Sequence, residues 1–154
     1  MTYPADSVTI PACIRFEETA GVRVEGCRFT RLGASGLGVS GGEGLTVRGC
    51  DFDTLSAGGI VVSGSRGTTL EDNRVRRVGL EFSGSPGISV MGTHGCVVAN
   101  NEVSEVPHCG IVVGSADGTR ILRNLTVNTM QVLADGGGVY LAGPQGRGPR
   151  CGGT

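Results

Sequence analysis

At 154 residues the chain is long enough for one ordinary domain, but 29 Gly, 4% aromatics, no Trp and 18% charged residues leave too little bulky apolar mass for a conventional globular core. Its Val, Ile and Leu are still too numerous and too evenly spread for a disordered chain. A net charge of −1 and a sequence pI near 6.1 give no electrostatic basis for nucleic acid or an anionic membrane as partner.

In chain order, residues 1–12 read as a lead-in without the basic and apolar regions of a signal peptide. No apolar run reaches the roughly 18 residues that a spanning helix needs. From residue 13 the sequence repeats. Glycines open apolar triplets at Gly36, Gly59, Gly87, Gly110 and Gly138, spaced 23, 28, 23 and 28 residues apart, and Cys13 opens the same pattern 23 residues before Gly36. One residue past each start stand Ile14, Leu37, Ile60, Ile88, Ile111 and Val139; three past stand Phe16, Val39, Val62, Val90, Val113 and Leu141. Eleven past stand Val24, Val47, Leu70, Val98 and Ile121. Sixteen past stand Phe29, Phe52, Val75, Val103 and Thr126, and nineteen past Leu32, Leu55, Val78, Val106 and Thr129.

Within each unit apolar and polar residues alternate, which is the period of a strand. Three short strands cannot bury their inward side chains alone, but stacking equivalent strands about 4.8 Å apart packs each on its counterparts above and below. The predicted fold is therefore all-β: a right-handed parallel β-helix over residues 13–143, with five complete coils and a sixth begun at Gly138. The glycine at each start permits either a φ > 0 corner or a close backbone approach. Residues 144–154 read as an irregular Gly/Pro-rich tail, because Pro149 falls where a buried aliphatic is due. The unclosed sixth coil predicts an uncapped rung and possible end-to-end association there.

The position that reads Cys27, Cys50, Asn73, Asn101 and Asn124 is a turn where small polar side chains can bond from coil to coil. Cys27 and Cys50 stand on adjacent coils, and either a disulfide or two small thiols satisfies that ladder; thiols are preferred. Cys96 replaces a strand residue and Cys109 precedes a coil start, so no metal and no other cofactor is implied.

Both 28-residue coils carry five extra residues at one corner, near residues 79–86 and 130–137. Loops extended at one corner of a solenoid wall off the strand face beside them. That face presents Arg15, Gly38, Val61, Ser89, Val112 and Tyr140, and the candidate groove is bounded by Glu81, His108, Asp135 and Tyr140. Glu81 reads equally as a solvated loop acid. His108, after Pro107, also reads as a turn-closing ring, and Tyr140 as an exposed strand aromatic. Asp135 is the candidate catalytic carboxylate, because three glycines follow it and a substrate can approach closely; Asp-Gly is also a common turn pair. Glu81, His108 and Tyr140 are the candidate substrate-binding residues.

A resemblance enters here. Val78-Gly79-Leu80-Glu81-Phe82, Asn100-Asn101-Glu102-Val103, Val106-Pro107-His108-Cys109-Gly110-Ile111, and Met130-Gln131 leading to Ala134-Asp135-Gly136-Gly137-Gly138-Val139-Tyr140 resemble the right-handed parallel β-helix proteins that include polysaccharide-acting glycoside hydrolases. The similarity runs from about Ala12 to Gly143. It implies a polysaccharide or oligosaccharide partner, an extracellular setting and a catalytic role for the acid at Asp135.

Such proteins are usually several times longer, and the Gly-Trp-rich insert often found after the strand at Gly110–Val113 is missing here. The expectation is thus a fragment of a secreted hydrolase. Glycoside hydrolysis needs two carboxyl groups, about 5–5.5 Å apart for retention or 6.5–9.5 Å for inversion. The nearest acid on the preceding coil is Glu105, and the equivalent position one coil on lies past Thr154, so the chain alone is expected to be inactive. Two alternatives stand beside this: a non-catalytic carbohydrate-binding or structural solenoid, and a uronate lyase or epimerase using outward Asp51 and Asp53.

Overall fold

The computed structural model describes residues 10–146 and 150–152, all in strands, turns and bends. Three parallel sheets run the length of the molecule. The first stacks Ala12–Glu17, Ser35–Ser40, Ile60–Ser63, Ile88–Met91, Ile111–Gly114 and Val139–Ala142. The second stacks Arg23–Glu25, Thr46–Arg48, Thr69–Glu71, Val97–Ala99, Arg120–Leu122 and Arg150–Gly152. The third stacks Arg28–Leu32, Asp51–Leu55, Arg74–Arg76, Glu102–Ser104 and Leu125–Val127. Every strand pairs with its equivalent one coil away, so the molecule is a parallel β-helix.

The register is the one the repeat predicts. Leu37 pairs with Ile60, Val98 with Ile121 and Phe29 with Phe52. Inward residues of the middle coils are sealed: Leu37, Ile60, Ile88 and Ile111 are all 0% exposed. Among the described residues, their counterparts Ile14 (46%) and Val139 (41%) have a neighbouring rung on one side only. The Phe29 and Phe52 rings stack with centroids 4.5 Å apart and planes 4° from parallel, continuing the inward column down one corner.

The glycines that open each coil serve close approach. None of Gly36, Gly59, Gly87, Gly110 or Gly138 has positive φ. A Cβ on Gly59 would lie 2.7 Å from Val75 Cγ1, sixteen residues on in the same coil, and 2.9 Å from the carbonyl of Gly87 in the next. Left-handed backbone occurs elsewhere, above all eight residues past each start, where Gly21, Gly44, Gly67, Gly95 and Gly118 all have φ between 59° and 65°. Glycine meets that conformation without a Cβ clash.

The polar turn is a hydrogen-bonded ladder. Asn101 Oδ1 accepts from the backbone N–H (3.0 Å) and the carboxamide (3.0 Å) of Asn73. Its own carboxamide donates to the Leu70 carbonyl (2.9 Å) and to Asn124 Oδ1 (2.9 Å). Asn73 repeats the pattern on Cys50, whose backbone N–H donates to Asn73 Oδ1 (3.0 Å). Cys27 and Cys50 are free thiols, the first exposed and the second buried. Burial pushes the Cys50 thiol up, and hydrogen bonds with the Cys27 and Arg48 backbone oppose the rise without cancelling it.

One expectation needs correction. The tail is not irregular throughout, because Arg150–Gly152 rejoins the second sheet, pairing Cys151 with inward Ile121 and Gly152 with Leu122. Cys151 comes thirteen residues after Gly138, whereas Ile121 comes eleven after Gly110. Strand pairing sets the register along the sheet, although Cys151 stands two residues further from its coil start than Ile121 does.

Candidate functional site

The outward face of the first sheet is built as expected. Arg15, Gly38, Val61, Ser89, Val112 and Tyr140 form one continuous column of paired residues. Two residues on, Glu17, Ser40, Ser63, Met91, Gly114 and Ala142 form a second. Charge is confined to the first coil, where Arg15 bonds Glu17. From Gly38 to Ala142 the floor is neutral and made mostly of small side chains.

The two inserts border this face, and equivalent backbone bonds secure both. In the first, Leu80 N–H donates to Leu55 O (3.2 Å), and the N–H groups of Glu81 and Phe82 converge on Ser56 O (3.1 and 2.9 Å). In the second, Gln131 N–H donates to Val106 O (3.5 Å), and those of Val132 and Leu133 converge on Pro107 O (3.0 Å each). Each insert therefore folds back over the same corner of the preceding coil. The short corner at residues 106–109 lies between them along the helix axis.

His108 sits on that corner and touches both inserts. Its Nδ1 lies 3.2 Å from the Gly84 carbonyl and its Nε2 lies 3.2 Å from the backbone carbonyl of Asp135. Both contacts run to neighbouring coils and neither lies within the turn of His108 itself. Asp135 is exposed and holds φ at +66°, a left-handed conformation that Asp tolerates better than most residues. Behind it, a side chain at position 136 would run into Cys109 Sγ and lie 2.9 Å from Met130 Sδ, so Gly136 lets the loop close over the buried Cys109. Burial pushes the Cys109 thiol up and the charge of Asp135 adds to the rise, while a hydrogen bond with the Gly137 backbone opposes it.

Asp135 and His108 are therefore brought together, through the Asp135 backbone carbonyl. Glu81 is exposed on the first insert, and Tyr140, 37% exposed, closes the described end of the outward column. Glu105 lies 3.8 Å from Arg77, which also bonds Asp53. Exposed apolar side chains on the inserts, Leu80 (58%) and Val132 (67%), were not among the sequence candidates, although the length of the inserts marked their position.

Asp51 and Asp53 point outward together from the third sheet, but arginines take both. Asp51 Oδ2 lies 3.3 Å from Arg28 Nε, and Asp53 Oδ2 lies 3.2 Å from Arg76 and 2.6 Å from Arg77. Partial burial raises the Asp53 pKa; the Thr54 and Arg77 hydrogen bonds and the two guanidinium charges outweigh it, leaving the carboxyl below its ordinary value. Among the described residues no group of three or more His, Cys, Asp or Glu is placed to hold a metal ion.

A solenoid of parallel three-strand coils, with loop inserts lining one face, defines the molecule as a β-helix repeat protein. Residues 9–146 match the family described as "Right handed beta helix region", and the chain belongs to that family. Among curated proteins there is no match. The solved structure of a protein named "Glycoside hydrolase" superposes with a TM-score of 0.78 at 23% identity, over 87% of this chain and 27% of that one. The likeness shows the shared fold, and the chain spans about a quarter of that protein's length.

Proposed function

We propose that this chain forms part of a secreted carbohydrate-acting β-helix protein of the glycoside hydrolase kind, in which a neutral saccharide lies across the first sheet beside the two inserts. The observation that carries the reading is the uncharged outward floor from Gly38 to Ala142 with both inserts secured beside it. Small side chains let sugar rings approach the sheet, and the Tyr140 ring offers an apolar face with a hydroxyl at its tip. Asp135, exposed on the second insert, is the acid this reading assigns to the sugar. The shared fold of a protein named as a glycoside hydrolase supports this class of substrate.

The reading favours binding without turnover by this chain, because the acid offered by the preceding coil, Glu105, is drawn toward Arg77. It also disfavours the uronate lyase alternative, whose candidate acids Asp51 and Asp53 are paired with arginines on a different face. The test is an array of neutral and acidic oligosaccharides probed with the purified chain, followed by a reducing-sugar assay. The expected result is retention of a neutral glycan, weakened at least about tenfold by Tyr140→Ala, with no new reducing ends. Retention of uronates only, or equal retention by the variant, would sink the proposal. Cleavage abolished by Asp135→Asn would keep the groove and overturn the inactivity.

A further inference from the structure

Both ring nitrogens of His108 face carbonyl oxygens, at Gly84 and at Asp135. A carbonyl oxygen can only accept, and a neutral imidazole has a single N–H. Only the imidazolium can satisfy both contacts at once. We propose that His108 is a proton-dependent clasp, joining the two inserted loops when the ring is charged and releasing one of them when the ring is neutral.

The neighbourhood supplies the second state. Cys109 Sγ lies 3.8 Å from His108 Nε2. Its thiol stays protonated because burial pushes it up. After the ring loses the Nε2 proton, Nδ1–H can keep the Gly84 carbonyl while Nε2 accepts weakly from the Cys109 thiol. The Asp135 carbonyl then faces a lone pair instead of a donor. The second insert, which carries Asp135, therefore loses this contact and keeps its backbone bonds to Val106 and Pro107, while the first keeps its contact with the ring.

The titratable groups on the surrounding elements are Glu81 on the first insert, Asp135 on the second, and Cys109 in the same turn; Glu105, three residues back, is paired with Arg77. No Lys or Arg lies in residues 79–86, 105–110 or 130–138, so nothing on those segments repels the charged ring. Imidazole is the side chain that ordinarily changes charge between about pH 5 and 8.

The clasp concerns the wall of the groove and holds or fails independently of any sugar chemistry. The test uses the intact chain in two measurements across about pH 5.5 to 8. Nitrogen-15 shifts of the imidazole report the protonation of each ring nitrogen of His108. Amide hydrogen exchange, corrected for its intrinsic pH dependence, reports protection at residues 79–86 and 130–137. The expected result is a doubly protonated ring at the acidic end. As it titrates, protection at 130–137 falls about fivefold, as loss of one ordinary hydrogen bond implies, while protection at 79–86 falls less. His108→Gln, which cannot titrate, should abolish the pH dependence. A ring neutral throughout, or insert protection unchanged or rising with pH, would overturn the clasp. If the glutamine variant fails to fold, the wild-type titration still decides.

Discussion

Replacing Asn101 by Ala tests the polar ladder that holds one corner of the solenoid. Asn101 is 1% exposed, and its side chain makes four hydrogen bonds spanning the coils on either side. The substitution leaves the Asn73 backbone N–H and one Asn73 carboxamide N–H without the acceptor they share, in a place water does not reach. Each buried orphan costs about 1–3 kcal/mol, so the expected loss is about 2–6 kcal/mol. Asn124→Ala at the partly exposed end of the ladder should cost about 1–2 kcal/mol, because water can replace the lost partners. Urea titrations followed by far-ultraviolet circular dichroism would read both losses. For a chain of this length the larger one corresponds to a Tm drop of about 4–24 °C. If Asn101→Ala costs under about 1 kcal/mol, or no more than Asn124→Ala, the ladder is not the source of that corner's stability.

Gly59→Ala should destabilise by at least about 1–3 kcal/mol, because its Cβ would meet Val75 and the Gly87 carbonyl. Gly33→Ala, where nothing lies within 4 Å, should be neutral or slightly stabilising, and thermal melts distinguish the two. The depressed carboxyl of Asp53 contributes stability that is fully present above its unfolded value, about pH 4, and lost as pH falls through the folded one. Denaturation between about pH 5 and 2 should therefore show an acid-side loss that is smaller in Asp53→Asn, and equal slopes in the two proteins would refute the pairing. Mass-spectrometric alkylation near pH 8 should label exposed Cys13, Cys27 and Cys151 well before buried Cys50 and Cys109, whose thiols burial pushes up.

The coil register was legible in the sequence because stacking repeats one environment in every rung, so each inward position is sampled five or six times. Phe52, Val75 and Val103 align in sequence for the same reason that they stack in space. The last strand is not legible in the spacing because strand pairing matters more than residue count; Cys151 pairs with Ile121 although it stands two residues further from its coil start. Sequence leaves the role of the opening glycines between two possibilities, since both a positive φ and a close approach select Gly and only geometry separates them. At the candidate site, the inserts were visible as added length. Their attachment was not, because it runs through the carbonyls of Ser56 and Pro107, and carbonyls carry no sequence signature. The double contact of His108 was hidden likewise, both of its partners being backbone.

The central claim is that a neutral saccharide occupies the first-sheet face beside the inserts. Amide chemical-shift mapping of the isotope-labelled chain against the glycan selected on the array tests it most directly. Perturbations should concentrate at Ser89, Val112, Tyr140 and residues 79–86 and 130–137, with the second-sheet face at Thr46, Thr69 and Arg120 unmoved. Perturbations confined to the second or third sheet, with the first-sheet face silent at saturating sugar, would contradict it.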